Sequence, residues 1–292
     1  MSKLHALKKA ANYARLGVSP KDRASLFFIG CLNQLDHHRR FTRRLIGAAL
    51  RWQNGGRKEV EFAVRLGGRP YSVKCRTDDY CDYQSIWECL GGGMYKVPNC
   101  PIRYLFDGGG NLGLFTVAAL GQNPNIAETI VVEPDPDNLR LLRMNLSGFQ
   151  GVKLVAAALA AKNGTSRFYR KASNMGHLVP EFSPLGVGGR DVYEVDTRRL
   201  SELIPSGWDL NQTWLKLDIE GAEYEVMTDM LGAGLKPIAL SGEFHDYLNC
   251  GGEELVAALR KGGYQVMLHG TGTQGKVDRQ FHASRGDFFL AD

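Results

Sequence analysis

No apolar run long enough to cross a bilayer, about 18 residues or more, occurs in this 292-residue chain, so no transmembrane helix is expected. The lysines near the N-terminus are not followed by an apolar segment of signal-peptide length. That argues against a cleaved secretory signal and makes the cytoplasm the expected compartment. Cys31, Cys75, Cys81, Cys89, Cys100 and Cys250 contain no Cys-x-x-Cys pair, and their irregular spacing is unsuited to a zinc knuckle. Free, mostly buried thiols are expected, with a disulfide or metal role as the alternative. No internal repeat is visible.

What is present is an ordinary globular composition, 43% hydrophobic and 23% charged, on a length that allows one large domain or one domain with an extension. The formal net charge of +5 is unevenly spread: residues 1–60 hold 13 Lys or Arg against 3 Asp or Glu. Such an arm can meet an anionic membrane, nucleic acid or an acidic partner; a solvated helix face is the plainer reading. Apart from Phe41 and Trp52, the stretch from Arg40 to Trp52 has no aromatics to make a stacking platform for nucleic acid.

Residues 1–20 read as a loose helix ending near Ser19-Pro20, and Asp36 is placed to cap a helix running to about Trp52. Glu59–Leu66 and Tyr71–Lys74 read as short strands joined by Gly67-Gly68, and Tyr83–Leu90 as a helix stopped by three glycines. Residues 1–100 are therefore expected to be a basic N-terminal extension, helical with a β-hairpin, packed on a main domain of residues 101–292. From Ile102 the pattern alternates. Strands are expected near 102–107, 129–133, 153–157, 213–218 and 237–243, with helices near 113–121, 135–147, 222–231 and 252–261. That predicts an α/β fold with a mostly parallel sheet covered on both faces. Two more strands are expected near 263–268 and 286–291, with His269–Arg285 as a loop or hairpin between them. Tyr169–Val192, rich in Pro and Gly, is expected to be a long loop over a substrate site, and Thr197–Leu203 to add a short helix.

The first strand runs into Asp107-Gly108-Gly109-Gly110-Asn111-Leu112-Gly113, and Glu133 closes the second. Gly108, Gly110 and Gly113 fit Gly-x-Gly-x-x-Gly, with the acid 20 residues on, a dinucleotide fingerprint of modest specificity. The same residues also read as Asp107-x-Gly109-x-Asn111-x-Gly113. An acid at the strand tip would face the pyrophosphate of NAD with like charge, but it suits the ammonium of S-adenosylmethionine (SAM), which carries no phosphate. Glu133 can accept both ribose hydroxyls of either cofactor. Ala157 and Ala158, near the end of the third strand, offer a flat slot for adenine; core packing explains them equally well. Asn138 either reaches toward the cofactor or sits on a helix surface.

A second cluster lies further along. Lys216 and Asp218 alternate with Leu215 and Leu217, which puts Asp218 at the carboxyl end of a central strand, where open α/β sheets bind ligands. Glu243 and His245 share one side of the next strand. Asp218, Glu243 and His245 can orient a hydroxyl and take its proton, or hold a divalent metal. Lys216 either neutralises these acids or extends its charge to solvent.

Three segments carry a family resemblance: Asp107 to Thr116, Val132-Glu133-Pro134, and Leu217-Asp218-Ile219-Glu220-Gly221-Ala222-Glu223. They resemble the FkbM-family methyltransferases, within the class of SAM-dependent Rossmann-like methyltransferases, over roughly residues 75–245. By this resemblance Thr116 and Pro134 join the cofactor residues, and Thr77, Asp78, Asp79, Tyr95, Ser173 and Asn174 fall in the family's substrate region. Gly108 stands where the family usually has an apolar residue, Gly110 where it has Ala, and Asp78 where Ser is common. The resemblance implies a class I methyltransferase fold, a seven-stranded sheet ordered 3-2-1-4-5-7-6 with the seventh strand antiparallel. It also implies methyl transfer to a hydroxyl of a sugar, glycan, glycolipid precursor or other small natural product. The competing functions are an NAD-dependent oxidoreductase, a catalytically idle binding protein of the same fold, and an RNA or DNA methyltransferase. No Asn/Asp-Pro-Pro-Tyr/Phe base-methylation segment supports the last. Peripheral contact of residues 1–60 with an anionic membrane is an alternative to the solvated face, nucleic acid a lesser one, and oligomeric state is open.

Overall fold

The structure, a computed structural model, describes residues 3–35, 47–52, 54–91, 95–172, 175–178, 192–245, 252–269, 278–286 and 288. The chain divides into two compact units. One comprises residues 1–94, 112–122 and 140–148; the other comprises 95–111, 123–139 and 149–292.

The first unit begins with helices α1 (Lys3–Ala14) and α2 (Pro20–Leu35). Pro20 opens a helix here and does not end one. The Ser19 hydroxyl accepts from the Asp22 amide (3.2 Å) and Asp22 accepts from the Ser19 amide (2.9 Å), a reciprocal cap in front of a proline whose missing N–H costs nothing at the first helical position. That cap is legible in Ser19-Pro20-Lys21-Asp22. Residues 47–52 are helical, and the rest of the helix expected from Asp36 lies outside the described residues. Strands β1 (Glu59–Leu66) and β2 (Arg69–Arg76) pair across Gly67-Gly68, both at positive φ, as a two-residue hairpin turn requires. Helix α3 (Tyr80–Ile86) passes into a π-turn at Trp87–Gly91, and α4 (Leu114–Gln122) completes this unit's helices together with the latter half of α5 (Pro136–Leu146).

The second unit is built on seven strands: β3 (Tyr104–Gly108), β4 (Glu128–Val132), β5 (Val152–Val155), β10 (Thr213–Leu217), β11 (Ala239–His245), β12 (Gln265–His269) and β13 (Asp278–Ser284). Their order is β12-β13-β11-β10-β3-β4-β5, with β13 antiparallel to both neighbours and the rest parallel. Numbered along the chain, this is the expected 3-2-1-4-5-7-6, the class I methyltransferase arrangement. One sheet face is apolar. Phe106, Leu215, Leu217, Leu240 and Phe281 are buried with Leu200 of α6 (Leu200–Leu203), Met227 of α7 (Glu223–Gly232) and Leu255 of α8 (Gly252–Lys261).

Three expectations are corrected here. The last strand is Asp278–Ser284 and lies inside the segment read as a loop: Phe281 and Ala283 alternate with Gln280, His282 and Ser284 at the two-residue period of a strand, and His282 and Ser284 are buried although polar. The expected long loop after Tyr169 begins as a hairpin, β7 (Gly164–Ala172) with β8 (Met175–Leu178), joined to β6 (Ala158–Leu159) and β9 (Val192–Arg198) in a four-stranded sheet. The third main strand ends at Val155, so Ala157 and Ala158 are not its tip. Cys31, Cys75, Cys81, Cys89 and Cys100 are free thiols, as expected, but only Cys75 is buried and the other four are half-buried; Cys250 lies outside the described residues. Among the described residues no helix is long and apolar enough to cross a membrane.

Candidate active site

The central strands of the second unit deliver their acids at the carboxyl edge of the sheet. Asp107, wholly buried at the end of β3, lies 3.2 Å from the ammonium of Lys216 on β10. The loop that follows folds back on its own sheet: the amides of Gly109 and Gly110 both donate to the Val132 carbonyl (3.0 and 2.9 Å), and the Asn111 amide donates to Glu133 (2.8 Å). Three successive loop amides are thus engaged inside the protein. A pyrophosphate needs such amides free, so the loop suits a cofactor without phosphate.

Gly109 has φ +78°, and a Cβ there would lie 1.8 Å from the Asp218 carbonyl oxygen, so the chain passes where only glycine fits. Asn111, at φ 48°, is a residue type that tolerates this conformation. Gly108 is explained differently. A Cβ would press on side-chain atoms of Leu159 and Leu217 at 2.6 and 2.7 Å, which here fill the space of the family's usual apolar side chain. Gly113 (φ +78°) and buried Thr116 belong to the first unit, where Gly113 faces Leu142 and Leu146.

Glu133 is buried and accepts from the amides of Asn111 and Asp135 (2.8 and 2.9 Å). Burial pushes its carboxyl up to about 7; the two amide bonds oppose the rise and neighbouring Asp135 adds to it. Oε2 accepts from the Asn111 amide alone and keeps a second lone pair, so the group remains able to accept from a ribose hydroxyl. Asn138 is buried, and its side-chain amide points at Glu133 from 3.4 Å. Asp135, unremarked in the sequence, caps α5 and is itself held by the Tyr193 hydroxyl (2.9 Å) and Arg170 (3.2 Å) from the four-stranded sheet. Pro134 is partly buried between the two acids. Ala157 packs into the apolar core and Ala158 against Phe168 and Val195.

The second cluster centres on Asp218. Tyr95 donates to its Oδ2 (2.9 Å), Lys216 stands 3.8 Å from the same oxygen, and the Lys216 ammonium also donates to the Gly109 carbonyl (2.7 Å). Lys216 is therefore a buried bridge between Asp107 and Asp218 and does not reach solvent. His245 Nδ1 bonds Glu223 (2.9 Å), while Nε2 faces Glu243 (3.5 Å), Glu220 (3.6 Å) and Asp218 (3.9 Å). Burial alone would lower the imidazole; its hydrogen bonds to Glu223 and Glu243 and the charge of the surrounding acids override that and hold it protonated. Burial also raises the Glu220 carboxyl, against the opposing charge of His245.

This changes the roles expected of the cluster. With Glu223 on Nδ1 and three further carboxylates facing Nε2, a protonated His245 would gather these acids around it. The group close enough to share an ion is Asp218, Glu220 and His245, not the expected Asp218, Glu243 and His245. Glu220 and Glu223 join the cluster beyond the residues expected from the sequence. Glu223 also accepts from the Ile219 and Gly221 amides (2.9 and 3.0 Å), closing the loop that presents Asp218. Acids two and five residues after Asp218, flanking a glycine, were the available signal.

The remaining substrate expectations divide. Tyr95 joins the site through Asp218. In the first unit, Thr77 donates to the Lys58 carbonyl (2.9 Å) and accepts from Arg51, Asp78 pairs with Arg51 (3.4 Å), and Asp79 caps α3. Ser173 and Asn174 lie outside the described residues.

A family model, the methyltransferase FkbM domain, matches residues 109–266, more than half of the chain. The chain belongs to the FkbM methyltransferase family. The loop amides engaged inside the protein suit the phosphate-free cofactor that the resemblance to this family implies. Among solved structures it is similar to the FkbM methyltransferase from Methylobacillus flagellatus KT, at 13% identity and TM-score 0.46, covering 96% of this chain and 59% of that one. It is also similar to the N-terminal domain of human METTL16 in complex with SAH (13% identity, TM-score 0.42, 88% and 87% covered). A third is the precorrin-6y C5,15-methyltransferase from Geobacter metallireducens GS-15 (15%, 0.37, 70% and 85%). The chain spans about 59% of the length of the Methylobacillus protein. No curated protein matches it.

Proposed function

We propose that this FkbM protein is an O-methyltransferase acting on a hydroxyl of a sugar, glycan or glycolipid precursor, or of another small natural product. The observation that carries the reading is the Lys216 bridge, which ties the cofactor-side acid Asp107 to the acceptor-side acid Asp218 across 3.2 and 3.8 Å. Bound SAM supplies an electrophilic methyl group. Asp107 faces the cofactor's ammonium and Glu133 its ribose hydroxyls. Asp218 orients the acceptor hydroxyl and takes its proton as the new O–CH3 bond forms; Tyr95 and Lys216 fix that carboxylate, and Glu243 lies alongside. Calorimetry should show S-adenosylhomocysteine (SAH) binding with no binding of NADH; NADH binding alone would overturn the assignment.

The Glu133 carboxyl makes cofactor affinity depend on pH. The fold favours its neutral form below about 7, whereas a ribose diol donates best to the ionised form. Affinity is therefore present above that value and lost below it, and the SAH Kd should rise about tenfold from pH 8 to pH 6. Glu133→Gln should bind weakly with a flat profile. A flat profile in the unaltered protein would remove Glu133 from the cofactor site.

We also propose that the basic first 60 residues meet an anionic lipid surface, which the 86% exposed Trp52 beside Arg51 suits as an interfacial anchor. Binding to vesicles containing phosphatidylglycerol should fall at least several-fold in Trp52→Ala; no binding by the full chain would reject the idea.

A further inference from the structure

In β11, β13 and β12 the register pairs Glu243 with Gln280, and Gln280 with His269. Register partners point to the same sheet face. Two residues back along β11, the next row on this face is Ser241, His282 and Met267. Its polar groups are satisfied within the protein: Ser241 accepts from the Trp214 indole (3.0 Å) and bonds His282 (3.1 Å). The Glu243 row differs. The Gln280 side-chain nitrogen and His269 Nε2 are buried, and neither has a hydrogen-bond partner among the described residues. Two neighbouring orphaned polar atoms, one on the strand beside Glu243 and His245 and one on the strand beyond it, call for a ligand.

We propose that Glu243, Gln280 and His269 form the strip along which a sugar acceptor lies, its reacting hydroxyl at Asp218 and its other hydroxyls over β13 and β12. The strip rests on the acceptor reading above and adds residues that reading does not use. The chemistry selects the class. An amide nitrogen only donates, and an imidazole Nε2 donates or accepts according to tautomer; a hydroxyl answers both. An ammonium would leave Gln280 unsatisfied, and an anion would be repelled by Glu243 in the same row. Neighbouring strands lie about 4.8 Å apart, so the row spans about 10 Å, the reach of a sugar ring with its glycosidic neighbour.

The test measures labelled methyl transfer from SAM to methyl glycosides of glucose, mannose, galactose and rhamnose and to their disaccharides. Gln280→Met, Gln280→Glu and His269→Phe, each on full-length protein, are then compared with an accepted sugar. Leaving a buried partner of the ligand unpaired should raise KM about 5- to 100-fold, with kcat and the SAH Kd within about twofold. His269→Gln, which keeps a polar end, should recover most of the KM. Retained SAH affinity marks a folded variant, and three substitutions on two strands leave at least one readable. An accepted sugar whose KM no folded variant moves would assign the two atoms to resident water and overturn the strip alone. A protein that binds SAH but methylates no member of the panel would overturn the sugar reading and the strip with it.

Discussion

Asp218→Asn is expected to slow methyl transfer about 100- to 10,000-fold, the range for losing a positioned proton acceptor, while the SAH Kd stays within about twofold. Asparagine keeps the shape and can still accept from Tyr95 at its 2.9 Å position, so the change removes charge and basicity without opening a cavity. Among the groups around His245, Asp218 has the most accessible side chain, 28% exposed, against 17% for Glu243, 15% for Glu220 and 3% for Glu223. A proton acceptor must touch solvent or substrate; the others are placed to hold His245. Measuring single-turnover methyl transfer beside SAH calorimetry separates chemistry from binding. An Asp218→Asn enzyme with normal turnover would pass the role of proton acceptor to Glu243.

Gly109→Ala is expected to abolish detectable SAH binding and to destabilise the fold by on the order of 2–4 kcal/mol. A left-handed alanine costs about 1–2 kcal/mol, and its Cβ would sit 1.8 Å from a backbone oxygen that cannot swing away. The displaced atom is the carbonyl of Asp218, so the strain would reach the cofactor loop and the acceptor acid together. Gly110→Ala is the control. Its φ is not positive and the family carries alanine there, so binding should be unchanged and thermal stability equal or slightly higher. Thermal melts and SAH calorimetry on the two variants decide the matter; equal behaviour would mean that the loop tolerates a shift at Gly109.

Much of this was legible before any coordinates. The 2.0-residue and 3.6-residue periods separated strands from helices from Ile102 onward, and the acids read at the strand tips lie at the carboxyl edge of the sheet. The misreadings have local causes. Pro20 was given more weight than the Ser19–Asp22 cap beside it. β13 is a polar-alternating strand between two glycine-containing stretches, and its apolar half, Phe281 and Ala283, is short. Ala157 and Ala158 were placed at a strand end because nothing in their sequence announces the start of a second sheet.

The sequence by itself determined the alternating α/β order, the glycine loop with its tip acid, and the residue types at each strand end, because periodicity and turn chemistry act between near neighbours. Only the tertiary structure decided what those residues do to each other. It turned three loop amides inward, made Lys216 a bridge, set four carboxylates around His245, and brought Gln280 and His269 into line with Glu243. Hydrogen-bond saturation, charge neutralisation and cross-strand register depend on partners that lie far apart in the chain, and no local pattern encodes them.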